Sequence, residues 1–325
     1  MRTDDERKVL LDVSRVSRSF GPKLVLDQVD LAVSAGEIHA VLGTNGAGKT
    51  TLLRIIAGTA DPSSGSVTVA GSSNRPGQDR EQRRRIGLVP AQSNSFYLRL
   101  SGLENLLFFG RLEGLDKRTA TEAAWEQLSA VGLGEAGNQR SGLYSTGMLR
   151  RLTIARALLT EPLVLLVDEA TMALDPEGAR SVRDLFVDIA KRGTAIVWTT
   201  QRIDEIRAFA DRVTLIHEGK VRFSGSVPEL VTLSQPRHYV VQLTNGSSDA
   251  QEIIANGGRS LDRLGELSIA RGGGAGHFLL SLEPDAMLGN ALDALMKSGC
   301  SVLSCREDRS GIEEAFLSLT QAPPA

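Results

Sequence analysis

The chain has 325 residues and 41% apolar content, enough for two domains with real cores, and its net charge of −2 argues against a nucleic-acid binder or a strongly acidic partner surface. Its two cysteines, Cys300 and Cys305, lie five apart in a predicted strand, where they are expected to face opposite sides as free thiols of a reducing compartment. No run reaches the roughly 18 apolar residues of a spanning helix, and the charged start Met1-Arg2-Thr3-Asp4-Asp5-Glu6-Arg7 is no signal peptide, so a cytoplasmic protein is expected that meets a membrane only through another chain.

In chain order, Val9, Leu11 and Val13 alternate as in a half-buried strand. Phe20-Gly21-Pro22 is a turn, Leu24 to Val33 alternates again, and Ser34 to Glu37 turns the chain into the apolar strand Ile38 to Leu42. There follows Gly43-Thr44-Asn45-Gly46-Ala47-Gly48-Lys49-Thr50-Thr51, which fits G-x-x-x-x-G-K-[ST], and a predicted helix from Thr50 to Ala57 stopped by Gly58. A strand feeding a helix through such a turn aims several backbone N–H groups, and the positive end of the helix dipole, into one concavity. That geometry suits a polyphosphate, with Lys49 reaching the β- and γ-phosphates and the Thr50 hydroxyl ligating Mg²⁺.

Asp61 to Gly71 is turn, strand, turn, which predicts a small antiparallel layer beside the nucleotide core. The cluster Arg80, Arg83, Arg84 and Arg85 is expected to be a solvated approach to the next strand rather than an anion site. Residues 94–160 become helical: Ser101-Gly102-Leu103-Glu104 is a capping box, Lys117 to Val131 is amphipathic, and Thr146 to Leu159 makes a third segment. Leu163 to Asp168 is a fully apolar run ending on a carboxylate, as in a buried parallel strand. Asp175-Pro176 is an N-cap with proline at the first helical position, leading by a helix to Arg192 into the buried strand Thr194 to Thr199. Arg212 to Phe223 gives two more strands.

Near Ser234 the pattern resets. A strand Tyr239 to Leu243, a weak helix Asp249 to Ala255, a Gly272-Gly273-Gly274 turn, a strand Gly276 to Leu282, a helix Pro284 to Lys297, a strand Ser301 to Arg306 and a last helix Gly311 to Leu319 suit a small α+β sandwich of ferredoxin-like type. The fold expected is therefore α/β, a P-loop NTPase core over residues 1–233 with a helical subdomain at about 94–160, followed by a small α+β accessory or regulatory domain over 234–325.

Several of these pieces fall at compatible spacing: the phosphate loop, Tyr144-Ser145-Thr146-Gly147-Met148 before a basic-apolar helix, Asp168-Glu169 closing an apolar strand, Ala173-Leu174-Asp175, and Thr199-Thr200-Gln201. Over residues 8 to about 230 the sequence resembles the nucleotide-binding subunit of an ATP-binding cassette (ABC) transporter. The resemblance implies that Phe20 stacks on adenine, although turn packing would also explain it. It implies that Thr50 and Asp168 hold Mg²⁺ and that Glu169 is the general base toward the attacking water, against a plain salt bridge as the alternative. It makes Ser145, Thr146, Gly147 and Met148 the signature that meets the γ-phosphate held by the opposite subunit of a head-to-tail dimer, and it puts Asp175 at the dimer seam, where its N-cap role alone would serve as well.

Three positions depart from the family. The signature has Thr146 where glycine is common and Met148 where glutamine is common, while Ser145 and Gly147 remain. The stretch Val89-Pro90-Ala91-Gln92 is one residue longer than the family's, with Gln92 matching the magnesium-sensing glutamine. Gln201 stands where the family has its switch histidine; its amide can donate as an imidazole does but cannot titrate near neutral pH, which predicts retained but slowed turnover. The tail Glu313-Glu314-Ala315-Phe316-Leu317-Ser318-Leu319-Thr320 resembles that of export ATPases of the daunorubicin-resistance type. The resemblance implies an ATPase using ATP and Mg²⁺, paired with a second cassette, peripheral on the inner face of the membrane, and driving separate permease subunits through Gln92 and the segment from Phe96 to Leu107. For Phe96, Tyr97, Phe108 and Phe109, docking and core packing are both open. The alternatives are a soluble non-transport ABC ATPase and a weakly hydrolysing nucleotide-dependent regulator.

Overall fold

The computed structural model describes residues 8–77, 80–91, 96–172, 174–207, 209–233, 237–244, 261, 264–269, 276–283 and 286–307. It divides into two compact units, Met1–Val227 and Pro228–Ala325. The first opens with the strands β1 (Val9–Phe20), β2 (Lys23–Ser34) and β3 (Ile38–Leu42), then helix α1 (Lys49–Ile56), strands β4 (Ser64–Val69) and β5 (Ser72–Ser73), the short helix α2 (Arg80–Arg84) and strand β6 (Ile86–Val89). Three helices follow: α3 (Gly102–Leu112), α4 (Lys117–Ala130) and α5 (Thr146–Leu158). The chain returns through β7 (Val164–Asp168), α6 (Pro176–Lys191), β8 (Ala195–Thr200), α7 (Ile203–Ile206), β9 (Arg212–His217) and β10 (Lys220–Ser226), with α8 (Val227–Leu233) at the boundary.

Two sheets share one core. The predicted antiparallel layer is a four-stranded sheet of order β2-β1-β4-β5, and the larger sheet has six strands in the order β10-β9-β3-β8-β7-β6. Its inner pairings β3–β8, β3–β9, β7–β8 and β6–β7 are parallel, and β10 closes one edge as an antiparallel hairpin. All five residues of β3 and all six of β8 are buried, as strands covered on both faces must be. The register decides function: Leu42 pairs with Thr200 and Asp168 with Thr199. Gly43, Glu169 and Gln201, the next residues after those strands, therefore leave the sheet at one edge. Open parallel sheets offer their ligand crevice there.

α2 has no buried residue, but the arginine cluster is only partly solvated: Arg84 donates to the Glu113 carbonyl at 2.9 Å and Arg85 to Ser72 Oγ at 3.3 Å. α3 begins with the predicted capping box: Glu104 N–H donates to Ser101 Oγ at 3.1 Å, and Ser101 N–H to Glu104 Oε2 at 2.7 Å. One turn on, Asn105 is fully buried and organises the chain entering the helix. Its Oδ1 accepts from Tyr97 N–H at 2.8 Å, and its amide donates to the Tyr97 and Ser101 carbonyls and to Ser141 Oγ.

In the second unit, β11 (Arg237–Thr244), β12 (Gly265–Ile269), β13 (His277–Leu282) and β14 (Ser301–Glu307) form an antiparallel sheet of order β12-β13-β11-β14, with α9 (Leu288–Lys297) between β13 and β14. Phe278, Leu280 and Leu282 alternate inward from β13 onto a core that includes Ala291 and Leu295 of α9. Cys300 and Cys305 are free thiols. The weak helix expected at 249–255, the glycine turn at 272–274 and the last helix at 311–319 lie outside the described residues, as does the tail 313–320.

Replacing Asn105 by alanine leaves the Tyr97 N–H and three acceptors without their buried partner. Asn105→Ala is expected to destabilise the first unit by about 2–3 kcal/mol, measured by denaturant unfolding; a loss under about 0.5 kcal/mol would show that the hub is not structural.

Candidate functional site

The site is built at the carboxyl edge of β3, β7 and β8. Between β3 and α1 the chain must turn sharply against its neighbours, and two glycines make that turn feasible. A Cβ on Gly43 would lie 2.5 Å from the Ile216 carbonyl oxygen. Gly48, at φ 107°, is the N-cap of α1, and a Cβ there would lie 2.6 Å from Leu26 Cδ2. Thr44, Asn45, Gly46 and Thr50 are exposed, Thr51 is half-buried, and Ala47 is buried against the core. No side chain caps the first N–H groups of α1, so they remain available to an anion.

Lys49 is buried and folds back across this loop, its Nζ donating to the Gly43 carbonyl at 2.8 Å and the Thr44 carbonyl at 3.1 Å. The nearest carboxylate is Glu169, with Oε1 at 4.0 Å. Burial lowers the Lys49 pKa, while the charges of Glu169 and Asp168 work the other way and hold the proton on. Thr50 Oγ1 donates to Asp168 Oδ2 at 3.3 Å, and Thr199 Oγ1 donates to Asp168 Oδ1 at 2.6 Å. Glu169 takes φ 44°, a strained value for a non-glycine residue, and its N–H donates to the Thr199 carbonyl at 3.2 Å. That turn separates the two adjacent carboxylates. Asp168 is held toward Thr50, and Glu169 toward Lys49.

A hydroxyl and one carboxylate fit Mg²⁺, which keeps several waters and takes its other ligands from phosphates. Among the described residues no group of three or more His, Cys, Asp and Glu gathers as a metal cage. Gln201 is exposed at the end of β8, lining with Glu169, Met172, Leu174 and Arg202 a cavity of about 130 Å³. Phe20 is 52% exposed at the tip of β1, with the Arg18 guanidinium 4.7 Å from its ring centroid.

The remaining predicted residues stand apart from this cradle. Ser145 is the N-cap of α5, its Oγ accepting from Met148 N–H at 3.2 Å; Ser145 and Thr146 are exposed, Gly147 and Met148 half-buried. Asp175 is exposed and caps α6, accepting from Gly178 N–H at 2.7 Å. Gln92 lies outside the described residues. Two side chains here carry weight that sequence reasoning did not give them. Thr199 reads as one more β-branched strand residue, and Arg150 as one of several basic positions on a helix. Only the fold shows that Thr199 holds Asp168 and that Arg150 is buried, donating to the Pro90 and Ala91 carbonyls.

Comparison with known proteins adds the following. The family model described as ABC transporter matches residues 26–172. The chain is 39% identical over 220 residues to the daunorubicin resistance ATP-binding protein DrrA3 of Streptomyces coeruleorubidus, covering 68% of this chain and 69% of that protein. It is 34% identical over 261 residues to the Nod factor export ATP-binding protein I of Rhizobium johnstonii, covering 79% and 82%. Among solved structures it resembles cbiO1 from Clostridium perfringens, described as part of the ABC transporter complex cbiONQ, with a TM-score of 0.64 and 27% identity over 69% of this chain and 91% of that one.

The contact between Thr199 and Asp168 makes a prediction. Thr199→Val keeps the shape and removes the donor, and it is expected to lower ATP turnover about tenfold with ATP affinity unchanged when no divalent cation is present. Wild-type turnover in a steady-state ATPase assay would show that the hydroxyl merely fills space.

Proposed function

The chain belongs to the family of ABC transporter ATP-binding subunits, and from that premise we propose that it is the engine of an exporter whose membrane-spanning parts are separate chains. The family hydrolyses ATP. The observation that carries the assignment to this chain's own residues is the single edge where Lys49, Thr50, Asp168 and Glu169 meet, Lys49 Nζ and Glu169 Oε1 being 4.0 Å apart. Around a bound ATP, Lys49 would exchange the Gly43 and Thr44 carbonyls for the β- and γ-phosphates, and the N–H groups of the loop from Gly43 to Thr51 would take up the remaining charge. Mg²⁺ held at Thr50 and Asp168, with Gln92, would neutralise charge on the phosphates. Glu169 would accept the proton of the water attacking the γ-phosphorus, and the Gln201 amide would donate to a γ-phosphate oxygen. Phe20 would stack on the adenine.

In this reading the single chain holds half of each site. Ser145 and Gly147, at the exposed start of α5, would close over a nucleotide held by a second cassette, whether a copy of this chain or a related one, with Asp175 at the seam. Closure by ATP and reopening by hydrolysis would be passed to the permease. The four aromatics differ in burial, which supports giving the docking role to the exposed ones. Phe109 is buried and Phe96 packs on it edge-on at 6.0 Å, whereas Tyr97 and Phe108, stacked edge-on at 5.0 Å, are exposed, as are Leu98 and Leu143. The exposed set would be the docking surface. Among the described residues no helix is long and apolar enough to cross a membrane, so a place on the inner face of the membrane would depend on those partners. The names of the relatives, daunorubicin resistance and Nod factor export, favour export over import. The second unit would be an accessory or regulatory domain.

Gln201 favours one variation, a cassette that turns over slowly. Glu169→Gln is expected to keep ATP binding and lower hydrolysis at least about 100-fold. Gln201→His is expected to raise the rate and bring in a dependence on pH over about pH 5.5 to 8 that the wild type lacks. An inactive wild type, alone and with its membrane partners, would leave a nucleotide-dependent regulator in place of an engine.

A further inference from the structure

A second cavity, of about 400 Å³, plays no part in the nucleotide site. Its lining comes from α4, from the turn after α5 and from the turn after α6. Pro162 and Leu163 run into Val164, the first residue of β7, and Gly193 and Thr194 run into Ala195, the first of β8. The cavity therefore sits at the amino edge of these two strands. Asp168, Glu169 and Gln201 stand at their carboxyl edge, about 15 Å away along the strands.

Leu158, Pro162 and Ile189 are buried and give the cavity an apolar floor. Glu126, Glu161 and Arg192 are exposed around it, and among the described residues none of their side chains forms a hydrogen bond or an ion pair. A single unpaired charge on a surface is ordinary. Deeper in, Gln127 also lines the cavity. It is 6% exposed on the packed face of α4 beside Ala124 and Leu128, and its amide has no hydrogen-bond partner among the described residues. A buried amide is costly when unpaired, and leucine would fill the same place without that cost. The fold gains nothing from the amide, whereas a polar molecule in the cavity would satisfy it.

We propose that this cavity is a second ligand site, for a small aliphatic molecule that carries both ammonium and carboxylate groups. Two carboxylates and one guanidinium leave the rim with an excess of negative charge. The ligand's ammonium groups answer Glu126 and Glu161, and its carboxylate answers Arg192. The apolar floor takes the methylene stem, and Gln127 hydrogen-bonds to the polar end that reaches it. The volume falls within the range of about 300–1,000 Å³ usual for small-molecule sites. This inference goes beyond the reading of the chain as an ATP-driven cassette and does not rest on it.

The test uses the full chain, with L-lysine as the probe and glutarate, which has a short methylene stem and two carboxylates but no ammonium, as the control. Binding is followed by saturation-transfer NMR titration. Lysine is expected to bind saturably with a Kd of about 1 mM or below, and glutarate is not. Glu161→Gln and Gln127→Leu are each expected to weaken lysine binding at least about fivefold. Lys49→Ala is expected to bind lysine as the wild type does, which separates this site from the phosphate loop. No saturable lysine binding, equal binding of glutarate, wild-type affinity in either cavity variant, or loss of lysine binding in Lys49→Ala would overturn the proposal. If water alone occupies the cavity, the first of these results is the one observed. If Gln127→Leu does not fold, Glu161→Gln decides: weaker binding supports the site, and wild-type affinity overturns it.

Discussion

The loop after β3 is organised around a buried ammonium that donates to neutral oxygens. Lys49 is 5% exposed, and its Nζ donates to two carbonyls of the loop that surrounds it, with the nearest carboxylate oxygen at 4.0 Å. Carbonyl dipoles solvate a cation less well than a hydrogen-bonded anion would, and Glu169 and Asp168 offset the charge only from a longer distance. The uncapped N–H groups of α1 add to the same field. A polyphosphate is the kind of ligand whose oxygens would suit both, which is why the proposed function places it there.

Everything else at the site is a matter of bringing two carboxylates close and aiming them apart. Parallel register does the first part: Asp168 lies beside Thr199, and Leu42 beside Thr200. The positive φ of Glu169 does the second, turning two neighbouring carboxylates into different directions. Thr199 then occupies one oxygen of Asp168 and leaves the other toward Thr50. The helical layer attaches by a different device. α5 carries Ser145 at its start, and its arginines tie it to the end of β6, to α6 and to α3. A helix fastened on three sides cannot shift alone.

The parts legible in the sequence were those whose physics is local. The phosphate loop, the capping box at Ser101 and Glu104, the Asp175-Pro176 N-cap and the apolar run into Asp168 each involve residues within a few positions of one another, and all took the expected form. The second unit's strands at 239–243, 276–282 and 301–306 were visible by alternation for the same reason. Thr199 and Arg150 were not legible, because their partners lie 31 and 60 residues away and nothing nearby distinguishes them from an ordinary strand threonine or surface arginine. The aromatics at 96, 97, 108 and 109 fell between: the sequence left docking and core packing open for all four, and only burial separated Phe109, 8% exposed, from Tyr97 and Phe108 on the surface.

The most direct measurement of the central claim is the affinity of the full chain for ATP with Lys49 intact and with Lys49→Ala. If the buried ammonium is the group that the phosphates engage, affinity falls at least about 100-fold, or about 2.7 kcal/mol, while the thermal midpoint without nucleotide does not fall. Equal affinity in the two proteins would contradict the account.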